Sequence, residues 1–191
     1  MEVELNPKTT AVLSMDLHAS IVAIYTQHDG EYVERAASVL RSARQREFTV
    51  MHVKVGFRPG FPEVSPKNVL FQVVRSDPQR QKLFSGPAAQ IHPAVAPVGD
   101  EVVITKHRVS AFCGTDLEMI LRAQEIDTLV LLGIATSGVV LSTLVEAFDR
   151  DFRVVVVGDC CADTDPDLHA ALVEKLFAKR GTVVDSAEFI L

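Results

Sequence analysis

Three features of this chain have the residue types that acid–base chemistry requires. Asp16 ends an apolar run, and Lys106 directly follows a second β-like run, 101–105. The turn Gly133–Val140 follows a third apolar run, 128–132, and leads into a helical pattern. A carboxylate transfers protons, an ammonium group stabilises negative charge, and main-chain N–H groups at a helix start bind anions or polarise a carbonyl. Because all three features lie at the ends of β-like runs, their joint occurrence marks a candidate site.

The elements that must position these features alternate between strands and helices. Six β-like runs are separated by helical stretches, and the runs are mostly apolar throughout, as in strands buried on both faces. This pattern is typical of an α/β fold, a parallel sheet with helices on both sides, in which ligands bind beyond the carboxyl ends of the strands. The predicted strands are 10–16, 48–53, 101–105, 128–132, 153–157 and 182–184, and the predicted helices are 30–47, 114–124, 141–148 and 166–177.

The segment 55–100 departs from this alternation. It holds seven of the nine prolines, and its only helical signal is a turn near 79–84. A segment of this length without regular structure is usually functional or contacts a partner. The alternative is a loop that covers the surface without any chemistry. The residues alone leave both interpretations open.

Composition and charge exclude several classes of protein. The 191 residues fit one domain, 1–191, and 48% hydrophobic residues favour a packed globule over disorder. The net charge of -6, without a basic stripe, argues against nucleic acid, and no apolar run approaches the ~20 residues of a membrane span. The three cysteines suit neither a disulfide framework nor a metal site, and no secretory signal is visible. We therefore expect a cytoplasmic protein with no nucleic-acid or membrane partner.

The same residues, taken with their neighbours, resemble a known family over roughly residues 8–185. An acid ends the first strand in Met15-Asp16-Leu17, a lysine precedes Ser110-Ala111-Phe112, and a Gly-x-Ala-Thr turn opens Gly133–Val140. The later turn Gly158–Asp163 is also similar. By these motifs the chain is identified as a member of the isochorismatase-like, or cysteine hydrolase, superfamily. The resemblance implies a three-layer, Rossmann-like αβα fold with six mainly parallel strands in the order 3-2-1-4-5-6.

Catalysis in this superfamily uses a cysteine nucleophile, an aspartate that takes and returns its proton, and a lysine that stabilises the charged state. The resemblance places the last two roles on Asp16 and Lys106, but the cysteine position holds Val139, whose isopropyl group has no nucleophilic atom. Without the cysteine, two catalytic roles remain for Asp16: a base that acts on water, or a general acid. The main-chain N–H groups of Ala135 and Val139 are predicted to polarise a carbonyl. The resemblance also implies a cis peptide bond between Ile134 and Ala135.

Other side chains are weak substitutes for the missing nucleophile. Cys113 follows the loop that carries Lys106, and Cys160 and Cys161 follow the fifth strand. Buried structural thiols are the commoner role for such cysteines. Thr136 and Ser137 are predicted to be helix N-caps, because no histidine is placed in the sequence to activate a hydroxyl.

Pocket-lining residues are inferred from their positions. His18 stands where the family usually carries glutamine, and it is a candidate for the mouth of the pocket. Phe57, Phe112 and Thr136 are further candidates, although phenylalanines at these positions suit the core equally well.

No metal or cofactor is expected. Zinc-binding amidases of the superfamily carry an Asp-x-His pair and further histidines after the second strand, where this chain has Phe57-Arg58-Pro59-Gly60. His52 and His92 stand alone, and a lone histidine in a strand is usually a core or edge residue. No Gly-x-Gly-x-x-Gly pattern follows the first strand, so a dinucleotide site is not indicated.

Two functions remain open. The first is a hydrolase that cleaves a small amide, imide or related molecule through Asp16. Isochorismate itself is not favoured, because members that cleave it typically carry glycine at the position of Val139 and lack the Ala-Thr pair. The second is a catalytically impaired member that binds a small molecule or regulates. A buried Asp16–Lys106 pair argues against this second function, because such a pair is costly to keep without use.

The resemblance also implies an assembly. Members of the superfamily are commonly dimers or tetramers, so a homodimer or homotetramer is expected here. The segment 55–100 and the apolar tail Phe189-Ile190-Leu191 are the predicted contact surfaces.

Overall fold

A six-stranded sheet forms the centre of the molecule in the computed structural model, which describes residues 4–26 and 29–190. Its strands are β1 (Thr10–Met15), β2 (Thr49–Val55), β3 (Val102–Lys106), β4 (Thr128–Ile134), β5 (Arg153–Ala162) and β6 (Thr182–Val184). Every neighbouring pair is parallel, in the order β3-β2-β1-β4-β5-β6. The predicted α/β fold and strand order are therefore confirmed. The order reverses between β1 and β4, which makes the carboxyl ends of these two strands the expected ligand site.

Helices pack on both faces of the sheet. They are α1 (Ala19–Tyr25), α2 (Tyr32–Gln45), α3 (Val69–Ser76), α4 (Pro78–Leu83), α5 (Leu117–Ala123), α6 (Leu141–Asp149), α7 (Pro166–Ala171) and α8 (Ser186–Ile190). Buried side chains of α1, α2 and α8 form one core layer, and those of α5, α6 and the turns after α7 form the other. These two layers enclose the sheet as the three-layer prediction requires.

The strands supply both layers because successive side chains of a strand point to opposite faces. In β4, Leu129 and Leu131 belong to the layer with α5 and α6, whereas Val130 and Leu132 belong to the layer with α2. All four are fully buried. Burial on both faces is the physical reason that the strands have continuous apolar sequences.

The segment 55–100 contains more helix than was predicted. The predicted turn near 79–84 corresponds to α4, but α3 was missed. Each helix has a side-chain cap, since Asn68 accepts a hydrogen bond from the N–H of Phe71 and Asp77 accepts one from the N–H of Gln79. These caps were available in the sequence, but both helices are too short for a clear apolar period.

Other elements and bounds also differ from the prediction. The short helices α1 and α8 were not predicted, and β5 runs to Ala162, five residues beyond the predicted end at Val157. Among the calls made above, Met1–Val3 of the N-terminal stretch and Leu191 of the apolar tail lie outside the described residues. Within the described ranges, the helices are all too short or too polar to span a bilayer.

Candidate active site

The carboxyl ends of β1 and β3 bring Asp16 and Lys106 into a buried ion pair. The Oδ2 atom of Asp16 lies 2.8 Å from Nζ of Lys106, and the side chains are 9% and 3% exposed, respectively. The other carboxylate oxygen accepts a hydrogen bond from the N–H of Val55 at 2.7 Å. Lys106 Nζ also donates to the carbonyl oxygen of Arg108 at 3.1 Å. Both charged groups are held in place, as a proton-transfer group and its counter-charge require.

The register of the sheet explains why the side chains of Asp16 and Lys106 are in contact. Met15 pairs with Val53, and Val55 pairs with Lys106, so β1, β2 and β3 end close together. Asp16 leaves the strand with φ of 55°, a left-handed conformation in which aspartate is more frequent than most residues. Its N–H still donates to the carbonyl of Val53 at 2.8 Å. The carboxylate therefore lies over the end of β2, within reach of both neighbouring strands.

The turn Gly133–Val140 lies beside the ion pair, because Met15 and Gly133 are partners across β1 and β4. Gly133 has φ of +147°, and a Cβ atom there would lie 2.2 Å from the carbonyl oxygen of Met15. Only glycine fits so close to another backbone. The peptide bond between Ile134 and Ala135 is cis, so this prediction is confirmed.

Val139 points into the protein core. Its side chain is 2% exposed and packs in the apolar layer with α5 and α6. The turn wraps around the carbonyl oxygen of Ala135, which accepts hydrogen bonds from the N–H groups of Gly138 and Val140 at 3.1 and 3.2 Å. The roles of the Ala135 and Val139 N–H groups as donors to a substrate stay predictions.

Thr136 and Ser137 are not N-caps, and this prediction was wrong. Ala135 precedes the helical turn and Thr136 lies inside it. The hydroxyl of Thr136 lies 2.8 Å from Nδ1 of His169, and the hydroxyl of Ser137 donates to Oδ2 of Asp163 at 2.7 Å. A histidine is thus next to Thr136 after all, although it comes from α7, 33 residues later.

His169 is suited to accept a proton from a hydroxyl group. Burial disfavours its charged form and lowers its pKa below the ordinary value of 6.5, and the nearby carboxylate of Asp163 raises the pKa by a smaller amount. Sequence reasoning missed His169 and Asp163. The predicted helix 166–177 has the correct start for α7, but no local signal shows which strand end this helix contacts.

The thiols do not replace the missing cysteine at the turn. Cys160 and Cys161 are 0% and 4% exposed and belong to opposite core layers. Burial raises the pKa of Cys161 to about 12 and raises that of Cys160 further, so neither is a thiolate at neutral pH. Cys113 is exposed to solvent. The inference that the two adjacent cysteines are structural agrees with their burial.

His18 is fully buried rather than at the mouth of a pocket. Neither of its ring nitrogens has a hydrogen-bond partner among the residues that the structure describes. Leaving a buried polar group unpaired costs about 1–3 kcal/mol. The rings of His18 and Phe84 form a T-shaped pair, with centroids 6.4 Å apart.

The two phenylalanine candidates have different surroundings. Phe57 packs in a cluster of aromatic rings with Phe71, Phe84 and His107, at centroid distances of 5.2, 6.0 and 6.3 Å. This cluster continues to His18 through Phe84. Phe112, by contrast, is 5% exposed and belongs to the core layer with α5 and α6. Phe57 is therefore the candidate that adjoins the site, and Phe112 is a core residue.

The isolated histidines have structural partners. His52 is fully buried and its Nε2 atom lies 2.9 Å from Glu101 Oε2, as expected for a core histidine. His92 Nδ1 accepts a hydrogen bond from the N–H of Ala94 at 3.2 Å. Across residues 4–26 and 29–190, histidine, cysteine and acidic side chains do not form a group of three or more that could hold a metal ion.

Comparison with known proteins identifies similar sequences and folds. Residues 10–188 match the profile of the isochorismatase domain. The chain is 37% identical to maleamate amidohydrolase from Pseudomonas putida over 153 residues, which cover 80% of this chain and 70% of that protein. It is 27% identical to ureidoacrylate amidohydrolase from Methylobacterium radiotolerans, with 98% and 80% of the two chains covered.

A solved structure has the same fold. An isochorismatase family protein from Burkholderia thailandensis superposes with a TM-score of 0.83 and 31% sequence identity. The superposition covers 96% of this chain and 94% of that one.

Proposed function

Because the chain belongs to the isochorismatase family, we propose that it is a hydrolase of a small amide, imide or related molecule, with Asp16 as its acid–base group. The observation that carries the proposal is the buried pair of Asp16 and Lys106 at the point where the strand order reverses. Ligands of open parallel sheets bind at this point. The maleamate and ureidoacrylate amidohydrolases named above support a small amide as the substrate class.

In the proposed reaction Asp16 acts on a water molecule. Its carboxylate takes a proton as the water oxygen attacks the amide carbon, and a tetrahedral intermediate forms. The carboxyl group then gives this proton to the leaving nitrogen, the C–N bond breaks, and a carboxylic acid and ammonia or an amine result. One carboxylate oxygen already accepts a hydrogen bond from the Val55 N–H, and the other forms the ion pair with Lys106. Each oxygen keeps a further lone pair that can accept from the water.

The neighbouring groups stabilise charge in this scheme. Lys106 balances the charge of Asp16 in a site with little solvent. The N–H groups of Ala135 and Val139 donate to the carbonyl oxygen as it becomes negative, which is the role of an oxyanion hole. Support for this role comes from the position of the turn beside β1.

The scheme forms no thioester at position 139. The superfamily resemblance places its cysteine there, and this chain has a valine whose side chain is buried in the core. Asp16 and Lys106 are retained in contact with each other. We infer that the catalytic step has moved from a thiol to water that is activated by Asp16.

Turnover by wild type and variants tests the proposal. The purified protein is incubated with maleamate, ureidoacrylate, a cyclic imide and a vinyl ether, and ammonia and acid products are measured. We expect the wild-type protein to hydrolyse an amide or imide. In Asp16→Asn the rate of hydrolysis should fall at least about 100-fold, because the amide side chain cannot take a proton. The matched control is Asp100→Asn, at an exposed aspartate, which should retain activity.

The same substrates also test the alternative function, in which the protein is a catalytically impaired family member that binds a small molecule. Val139→Cys restores a thiol at the turn, and activity that appears only in this variant would identify wild type as an impaired amidase that binds its ligand. Thr136→Val tests a third route, in which Thr136 and His169 act as a hydroxyl nucleophile and its base. We expect Thr136→Val to retain activity. Loss of activity in it, together with an acyl adduct on the wild-type protein by mass spectrometry, would contradict the water route.

A further inference from the structure

The side chain of His18 is buried but makes no hydrogen bond to the described part of the chain. It is fully buried, and both Nδ1 and Nε2 lack a hydrogen-bond partner in the described part of the chain. Buried polar groups in folded proteins are nearly always paired, and each one that is not requires an explanation, such as a catalytic role or a bound water, ion or ligand. His52, the other fully buried histidine of the described residues, pairs Nε2 with Glu101, although its Nδ1 atom also lacks a partner. His18 differs from it because neither ring nitrogen is paired with a described residue.

The backbone around His18 is fixed by the segment 83–92. The N–H of His92 donates to the carbonyl of Leu17 at 2.8 Å, and the N–H of Ala19 donates to that of Gln90 at 3.1 Å. His18 itself forms a β-bridge with Ile91. In addition, the hydroxyl of Ser20 contacts the carbonyl oxygens of Leu83 and Ala88 at 3.0 and 2.9 Å. These contacts hold the imidazole in the interior and prevent it from turning to solvent.

His18 also lies close to the charges of the candidate active site. It follows Asp16 by two residues, and its ring forms a T-shaped pair with Phe84, which belongs to the aromatic cluster that contains Phe57. Burial lowers the pKa of His18; Asp16 raises it by a smaller amount, and Lys106 and Lys54 lower it. Together these effects lower the pKa and favour the neutral ring. A neutral imidazole has one N–H donor and one nitrogen acceptor.

We propose that His18 binds the substrate through both ring nitrogens, which point in divergent directions: one donates a hydrogen bond to a substrate oxygen, and the other accepts one from the NH₂ of a carboxamide or ureido group. This inference rests on the proposed function and names the group that the site selects. A carboxylate has acceptors but no donor, so it would leave one ring nitrogen unpaired. The site therefore distinguishes the amide from the acid that hydrolysis produces.

Nitrogen-15 NMR of the histidine rings tests the contact directly. The wild-type protein is titrated with succinamide and, separately, with succinate, and the His18 signals are assigned by their loss in His18→Gln. We expect succinamide to shift the His18 ring nitrogens and succinate to leave them unchanged. Equal shifts with both probes, or no shift with either, would overturn the proposal.

Two substitutions separate binding from folding. His18→Leu removes both hydrogen-bonding atoms and should raise KM for maleamate, or Kd for succinamide, about tenfold or more. Its kcat should change less than about threefold and its Tm should be equal or higher, because an unpaired polar group has been removed. His18→Gln, which keeps a donor and an acceptor, should stay within about threefold of wild type. An unchanged KM and Kd in His18→Leu would contradict the inference.

His52→Leu is the matched control. It removes a histidine of equal burial whose partner is Glu101, so it should lower Tm and leave KM and Kd unchanged. The proposed function and this inference fail in different ways. If no amide is hydrolysed but succinamide still shifts His18, only the proposed reaction is wrong. If amides are hydrolysed and His18→Leu has the KM of wild type, only the inference is wrong.

Discussion

Two charged side chains that almost never occur buried meet at Asp16 and Lys106. Each ion loses its hydration on burial, and the contact at 2.8 Å recovers part of that cost. The Val55 N–H and the Arg108 carbonyl provide further polar contacts. Such a pair is weak evidence for stability, because apolar residues of similar volume would often be as stable. Its retention is therefore better explained by chemistry than by folding.

Removing one partner of this pair should be costly. We expect Lys106→Met to lower the free energy of unfolding by about 3–5 kcal/mol at pH 7, because it leaves the Asp16 carboxylate buried without its counter-charge. The double variant with Asp16→Asn should recover part of this loss. Urea unfolding followed by circular dichroism measures both. Lys54→Met, at a partly exposed lysine of β2, is the control and should change stability by less than about 1 kcal/mol. Equal effects at both lysines would contradict the paired state.

At the scale of elements, the ends of four neighbouring strands make the site. Lys106 ends β3, Val55 ends β2, Asp16 follows β1, and the turn 133–140 follows β4. The turn is held from outside by α7, through the contacts of Thr136 with His169. Its approach to β1 is close enough to exclude any side chain at its first residue. The geometry of the site therefore depends on the backbone packing of β1 against β4.

Gly133→Ala should disrupt this packing. Its Cβ would lie 2.2 Å from the Met15 carbonyl oxygen, and the backbone conformation also disfavours a side chain. We expect a loss of about 3 kcal/mol or more in the free energy of unfolding, together with loss of activity. Denaturant titration is the measurement. Gly30→Ala, where no atom lies within 4 Å of the new Cβ, is the control and should stay near wild type. A stable, active Gly133→Ala protein would show that the close approach does not matter.

At the scale of the whole molecule, chemistry and stabilisation lie at opposite ends of the sheet. Glu101 precedes β3 at its amino end, where Arg44 contacts both carboxylate oxygens at 2.7 and 2.9 Å. Burial disfavours the charged form of Glu101, but hydrogen bonds from Arg44, the Val98 N–H and His52 outweigh it and lower the pKa from 4.5 to about 2. This network joins α2 to β2 and β3 on the side away from Asp16.

The Glu101 network should make stability depend on pH. The carboxylate has a lower pKa in the folded protein, so its contribution is complete above pH 4.5 and is lost as the pH falls towards 2. We expect Glu101→Gln to be less stable by about 2–3 kcal/mol at pH 7 and to lose less stability than wild type between pH 4.5 and 2. Thermal unfolding across this pH range is the measurement. Glu174→Gln, at an exposed glutamate, should keep the wild-type profile. Parallel profiles for wild type and Glu101→Gln would contradict the assignment.

The assembly of the whole molecule stays a prediction. The resemblance implied a homodimer or homotetramer with the segment 55–100 as a contact surface. In this segment α3 exposes Val69, Leu70 and Val73, with 77%, 58% and 42% of their surfaces accessible. An apolar helix face of this kind is compatible with a contact between copies.

The sequence by itself determined the alternation of strands and helices, the approximate position of each strand and the positions of Asp16, Lys106 and the turn, whereas the strand order was implied by the family resemblance. Strands buried on both faces have unmistakable apolar runs, and the motif residues stand next to those runs. It could not show that His169 contacts Thr136, because α7 and the turn are joined only through packing across the strand ends. It also placed His18 at a pocket mouth, whereas the segment 83–92 buries it. Contacts between elements that are distant in the chain depend on how layers pack, and only the tertiary structure decides them.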